Sequence, residues 1–345
     1  MATNTPIQEK QGPAGSAAAD PFQTIVMIAG GVCLPRSLHA VANLGVADAL
    51  DEAPKTAAQL AKSVGADPDA LGRVLRLLSA YGVFEVDGDK VRHSPASRLL
   101  RSDHPQSMRP LARMFGLGVN WNAFTEFGHS VKTGEPATTK TLPEGFWDYF
   151  ARHPEEGKIF NEAMVAKAQA QMPAVVAGYD FSRFGTIADI GGGRGHLLQA
   201  ILGANPSAKG VLFDLPNVIK DAAGAASDRL KLQAGDFFKS ALPAADAYIV
   251  MEVIHDWPDE ESVAIFKAIR KAAKPGATLL VIEQLVPEGN EPHWAKMLDI
   301  HMLTLLGGKQ RTEEGYGELL RRAGFEFQRV HPTRSDVSIL EAKAG

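Results

Sequence analysis

Apolar positions recur at helical spacing between Pro21 and Leu50, through Ile25, Ile28, Ala29 and Val32 and then Leu38, Val41, Ala42, Leu44, Val46 and Leu50. Helices this apolar need a partner surface, and a second copy of the chain is the expected one. Residues 56–61 and 64–78 read as helix, Gly-containing turn and helix. Val83–Val86 and Val91–His93 then flank the turn signal Asp87-Gly88-Asp89-Lys90, a hairpin that completes a winged helix. From about Ser107 to Ala177 the spacing is helical again, broken at Gly134-Glu135-Pro136 and His153-Pro154. Its aromatics, among them Phe115, Trp121, Phe124, Phe146 and Phe160, are core by default, and some can wall a flat pocket.

Beyond Tyr179 the pattern shortens to apolar runs separated by helical segments. Thr186–Ile190, Gly210–Asp214, Leu230–Phe238 with its terminal turn, Asp246–Met251 and Thr278–Glu283 read as buried strands, and Phe325–Val330 with Val337–Ala342 as a terminal strand pair. Strand and helix in alternation predict an α/β, doubly wound sheet. The expected domains are a disordered tail over 1–20, a winged-helix unit over 21–105, a helical linker and pocket segment over 106–177, and a nucleotide-binding unit over 178–345.

Composition narrows the function. The chain has 345 residues, is 45% hydrophobic and 22% charged, and carries a net charge of −4. No global basic field attracts nucleic acid or anionic membrane. The winged helix brings only Arg73 and Arg76 on its second helix, beside Asp67 and Asp69, too few cations for a DNA reader. The run Ile25–Leu34 is short and contains Gly30-Gly31, so it is not read as a membrane span. One cysteine, Cys33, cannot form an intramolecular disulfide, and the expected location is the cytoplasm.

The chemistry centres on Asp189-Ile190-Gly191-Gly192-Gly193-Arg194-Gly195-His196, where a strand breaks into glycines and a helix follows. Glycines admit a ligand to the backbone, and the helix N-terminus offers free N–H groups. A dinucleotide fingerprint has the spacing G-x-G-x-x-G; here the glycines fall otherwise, position 196 is His, and Asp189 would repel a pyrophosphate while suiting an ammonium. S-adenosylmethionine (SAM) carries an ammonium and a sulfonium and no phosphate. Asp214, ending the next strand, is placed to accept ribose hydroxyls or to start the following helix, and both can hold at once. Asp236 and Phe237 follow the third strand, where the adenine would lie.

Ile190-Gly191-Gly192-Gly193, Phe213-Asp214-Leu215-Pro216, Gly235-Asp236-Phe237-Phe238, His255-Asp256-Trp257 and Gly307-Gly308-Lys309-Gln310-Arg311-Thr312 occur in that order. Together they resemble the caffeic acid-type, SAM-dependent O-methyltransferases of plants and bacteria, over nearly the whole chain. The resemblance implies a class I methyltransferase Rossmann-like sheet with an N-terminal winged-helix dimerisation domain, a homodimer interleaved through its N-terminal helices, and an aromatic or polyketide-like acceptor. It implies His255 as general base and Glu283 as its orienting carboxylate. Asp189, Gly191, Gly193, Asp214, Asp236, Phe237 and Trp257 then hold the cofactor, and Met164, Asp299, His301 and Met302 line the acceptor pocket. Metal independence is expected. Three positions depart from the family pattern: Gln310 stands where a Glu is usual, Met251-Glu252 replace a basic residue, and Ala168 replaces a Ser. Relatives that use the same fold for non-methylating chemistry, and a winged-helix regulator with a sensing domain, are the alternatives; a nicotinamide dehydrogenase fits least.

Overall fold

The computed structural model describes residues 20–345; the disordered tail expected over 1–20 falls almost wholly outside them. The chain divides between Leu100 and Arg101 into two compact units.

The first unit is built by local signals. Thr56 and Gln59 form a reciprocal capping box that starts helix Ala57–Val64, and Gly65, in the left-handed region at φ 70°, ends it. Asp67 caps helix Pro68–Ser79, with Pro68 in its first turn. Strands β1 (Lys55–Thr56), β2 (Phe84–Asp87) and β3 (Lys90–His93) form an antiparallel sheet in the order β1-β3-β2. The hairpin is the one expected; the short β1, pairing Lys55 with Val91, is too brief to leave a period in the sequence. Helix Pro21–Ala29 contains no buried residue, and Phe22, Ile25 and Ile28 are 71, 67 and 73% exposed. Among the described residues, Pro21–Leu44 is the one stretch long and apolar enough to cross a membrane by length and composition.

The second unit opens with helices and closes with a seven-stranded sheet. Its strands are β4 (Thr186–Ile190), β5 (Lys209–Asp214), β6 (Leu230–Ala234), β7 (Ala247–Met251), β8 (Thr278–Glu283), β9 (Phe325–Pro332) and β10 (Ser338–Ala344), in the order β6-β5-β4-β7-β8-β10-β9. The pairs from β6 to β8 are parallel, whereas β10 runs antiparallel between β8 and β9. Side chains alternate between two cores, as period-2 strands require. Ala188, Ile190, Tyr248, Val250, Leu279 and Val281 face one core; Ile187, Ala247, Ile249, Leu280 and Ile282 face the other. The central strands are therefore apolar on both faces. The strand order reverses between β4 and β7, and ligands of open α/β sheets bind at the carboxyl ends of the strands there.

Candidate active site

The glycine spacing has a conformational cause. Gly191, Gly193 and Gly195 have φ of +72, +59 and +75°, a region that side chains with a Cβ rarely adopt. Gly192 is small for a different reason: a Cβ there would overlap the Asp189 carboxylate and come 2.6 Å from Leu212. A Cβ on Gly193 would meet nothing within 4 Å, so the turn opens on free space. That fits a ligand lying against the backbone, and helix His196–Ala204 starts immediately beyond.

Asp189 is 1% exposed, and burial, then the charge of Asp214, holds its carboxyl up at about 7. It lies packed under Gly192. The Asp214 carboxylate accepts the Gly193 N–H at 2.8 Å and the Leu215 N–H at 2.7 Å, so it pins the turn; it does not cap the next helix, Pro216–Asp221, whose N-cap is Leu215 without a side-chain bond. Asp236 accepts the Phe238 N–H at 2.8 Å and pairs with Lys239 at 3.0 Å. Phe237 and Trp257 lie edge to face, with centroids 5.8 Å apart. The side chains expected around an adenosine thus surround the carboxyl ends of β4 to β7.

His255 lies on a 3₁₀ turn, Ile254–Asp256, just beyond β7, and is 6% exposed. Its Nδ1 is 2.6 Å from Oε2 of Glu283, the last residue of β8. Glu283 is fully buried, and its Oε1 accepts the N–H groups of Ile254 and His255 at 3.0 and 3.2 Å. One carboxylate fixes both the turn and the imidazole on it. The other ring nitrogen, Nε2, is 3.4 Å from Asp256 Oδ1. Burial opposes a charge on the ring, but the carboxylates of Glu283 and Asp256 outweigh it and lift His255 to about 9. Asp256 itself is raised to about 6, by burial first, with the His255 charge opposing.

The segment 307–312 straps this turn from behind. Lys309 N–H donates to the His255 carbonyl at 2.8 Å. Arg311, 4% exposed, donates to the carbonyls of Ile254 and Trp257 at 3.3 and 2.9 Å and is held by Asp259 at 2.7 Å. A Cβ on Gly308 would overlap the His255 carbonyl oxygen and lie 2.6 Å from the Asp256 carbonyl carbon. Gly308→Ala is therefore expected to shift the turn and lower turnover about 10²-fold, with destabilisation of about 1–3 kcal/mol; activity and thermal unfolding of the variant check both.

The four expected acceptor residues come from two helices. Met164, on helix Pro154–Gly178, packs against the cluster of Met114, Leu117, Phe146 and Leu305. Asp299, His301 and Met302 lie on helix Trp294–Leu305. His301 stands among rings, 5.0 Å from Phe115, 5.1 Å from Phe124 and 6.4 Å from Trp294 between centroids. Burial lowers it to about 4, so the ring is neutral. Asp299 takes a structural bond, accepting the Gln310 N–H at 2.8 Å, and Met302 is 9% exposed.

Sequence reasoning missed Arg311, Trp294 and the pair Lys167–Glu252, whose Nζ and Oε1 are 2.6 Å apart. The signal for Arg311 was its place in the Gly-Gly-Lys-Gln-Arg-Thr run, and that for Glu252 its departure from the family's basic residue; nothing local marks Trp294 or Lys167. A separate open cleft of about 700 Å³ runs along helix Pro154–Gly178 and reaches Arg194 of the glycine turn without including His255. Among the described residues no group of three or more His, Cys, Asp or Glu side chains is placed to hold a metal ion.

The sheet order and the glycine turn at its switch point define a class I methyltransferase. Residues 124–326 match the O-methyltransferase domain and residues 26–103 the O-methyltransferase dimerisation domain. A phenazine O-methyltransferase of Lysobacter antibioticus is 40% identical over 334 residues, 95% of this chain and 98% of its own. Among solved structures, a methyltransferase of calicheamicin biosynthesis with S-adenosylhomocysteine bound superposes with a TM-score of 0.86 at 32% identity, covering 94% of this chain and 99% of that one. An O-methyltransferase of neocarzinostatin biosynthesis, with SAM and 2-hydroxy-5-methyl naphthoic acid, gives 0.78 at 33% identity, covering 95% and 100%. The chain belongs to this O-methyltransferase family. It is a SAM-dependent O-methyltransferase.

Proposed function

We propose that the enzyme methylates a hydroxyl on an aromatic, polyketide-like acceptor, with His255 as general base and Glu283 as the residue that orients it. The observation that carries this reading is the buried His255–Glu283 contact of 2.6 Å at the carboxyl edge, beside the glycine turn. SAM supplies an electrophilic methyl group. Gly191 and Gly193 receive it against open backbone, Asp214 is at hand for the ribose, and Asp236, Phe237 and Trp257 bound the adenine. Asp189, under Gly192, supports the turn from below. Glu283 holds Nδ1 protonated, which leaves Nε2 to accept the acceptor's hydroxyl proton as its oxygen attacks.

The rings around His301, with Met164, Asp299 and Met302, form the acceptor wall. The rings, with His301 held neutral by burial, suit a flat, weakly charged ligand. The phenazine and naphthoate enzymes among the relatives make those two ring systems the first acceptors to try. The test is incubation with SAM and hydroxylated phenazines or naphthoates, followed by mass analysis. A gain of one methyl with release of S-adenosylhomocysteine is expected, and transfer to aliphatic alcohols alone would sink the aromatic assignment.

The exposed Phe22, Ile25 and Ile28 lie at the edge of the matched dimerisation domain, and we infer a homodimer closed through these helices. The variant Ile25→Glu/Ile28→Glu is expected to run as a monomer in size-exclusion chromatography with light scattering, because charges in an apolar interface core go uncompensated.

A further inference from the structure

Glu252 is the one non-glycine residue among those described with a positive φ, 51°. Strain of this kind persists where surrounding structure enforces it and concentrates at ligand sites. The residue follows β7 directly, at the switch point, and the next side chain, Val253, packs so closely on the glycine turn that a Cβ on Gly191 would lie 2.9 Å from it.

The Glu252 side chain, 14% exposed, pairs with Lys167, 19% exposed, at 2.6 Å. Gln171 and Gln284 also donate to Oε1 of Glu252, at 3.4 and 3.3 Å. All three donors meet Oε1, and none of these contacts is made to Oε2. The two glutamines turn their amide nitrogens to Glu252 and Asp336. Their amide oxygens are consequently left over: Gln171 and Gln284 are 2 and 1% exposed, and both Oε1 atoms are buried without a hydrogen bond. Unpaired buried acceptors of this kind require an explanation. On the other side of the pair, Lys167 spends one of its three N–H donors on Glu252. Burial works against its charge, yet Glu252 keeps the ammonium's pKa above the usual lysine value.

The pair lies beside the glycine turn through Val253, the residue after Glu252, which packs on Gly191; Ala166, Gln169 and Ala170, next to Lys167 in sequence, line the cleft that reaches Arg194. An ion pair with a spare carboxylate oxygen, two orphan amide oxygens and spare ammonium donors is the complement of a zwitterion. SAM ends in one, an α-ammonium with three donors and an α-carboxylate.

We propose that Lys167 and Glu252 form the subsite for the amino-acid end of SAM: Lys167 takes the α-carboxylate, and Glu252 Oε2, with the amide oxygens of Gln171 and Gln284, takes the α-ammonium. This rests on the cofactor alone and not on the role of His255 or the identity of the acceptor.

The test is calorimetric titration with S-adenosylhomocysteine, which keeps the amino acid, and 5′-methylthioadenosine, which lacks it. The double variant Lys167→Met/Glu252→Gln removes both charges together and leaves no buried charge unpaired. It is expected to bind S-adenosylhomocysteine about 10²-fold more weakly, as the loss of charge-assisted hydrogen bonds implies, while 5′-methylthioadenosine binds as to the parent. Glu252→Gln alone, which keeps the side-chain shape, should show a smaller loss with the same selectivity. Unchanged S-adenosylhomocysteine affinity overturns the proposal. So does an equal loss of both ligands in both variants, because the pair would then support the fold and not read the cofactor.

Discussion

Replacing His255 by alanine is expected to lower turnover about 10²–10⁴-fold, with S-adenosylhomocysteine bound as tightly as by the parent. The size follows from proton-transfer energetics. A phenolic hydroxyl near pKa 10 facing an ordinary imidazole near 6.5 gives up its proton at a cost of roughly 5 kcal/mol. In this enzyme Glu283 and Asp256 raise His255 to about 9, and the remaining gap of about one unit costs only roughly 1.4 kcal/mol. A stronger base has a drawback: at neutral pH only about one molecule in a hundred of the free enzyme carries it unprotonated. Accordingly kcat/KM for SAM, which reports the free enzyme, should rise about tenfold per pH unit up to about 9. The limb in kcat should lie lower, because a sulfonium near the ring disfavours imidazolium. Neither limb should survive in His255→Ala. A variant that keeps parental turnover, or keeps the limb, would remove His255 from the chemistry.

Glu283→Leu is expected to destabilise the protein by about 3–5 kcal/mol, the usual cost of breaking a buried pair by removing one partner. Three donors depend on this carboxylate: the N–H groups of Ile254 and His255 and Nδ1 of the imidazole. Leucine accepts from none of them, and both Ile254 and His255 are buried. Denaturant unfolding of the parent and variant measures the loss. Glu283→Gln separates charge from shape. Its amide oxygen can still accept, but the negative charge is gone, so the folded pKa of His255 should fall back towards 6.5 and the activity limb should move to lower pH with it. The same linkage bears on stability. Because His255 is raised in the folded state, its contribution is complete below about 6.5 and is lost as pH climbs through about 9. In Glu283→Gln that alkaline loss should shrink. A stability profile identical to the parent's would show that Glu283 does not set the charge of the ring.

The elements that sequence made legible are those whose cause is local. The winged helix rests on Thr56, Gly65, Asp67 and the Asp87–Lys90 turn, each a signal confined to a few residues. The glycine turn was readable because three left-handed positions in alternation leave glycines at 191, 193 and 195. Contacts between distant segments were not legible. Arg311 binds carbonyls more than fifty residues away, at Ile254 and Trp257, and its role emerges only when the strap closes over the His255 turn. Glu252 looked like the loss of a basic residue, whereas the structure supplies the positive charge from Lys167, on a helix that precedes the sheet. Asp189, expected to face a ligand's ammonium, is packed beneath Gly192, since a strand-end side chain and the glycine above it share one space. The terminal strand pair was foreseen, but not that its second member would be inserted next to β8, because parallel and antiparallel neighbours leave the same apolar alternation.

That insertion has a consequence for how the enzyme comes into being. Ser338 of β10 pairs with Glu283 itself, and the register continues through Lys343 opposite Thr278. While the chain is being made, every other β-strand of the sheet emerges from the ribosome before the one that covers this side of β8. Until residues 338–344 arrive, the strand carrying Glu283 has an open, apolar edge, a template for pairing with other chains. Without residues 338–344 the edge beside Glu283, and so the carboxylate on which the His255 turn rests, is left uncovered.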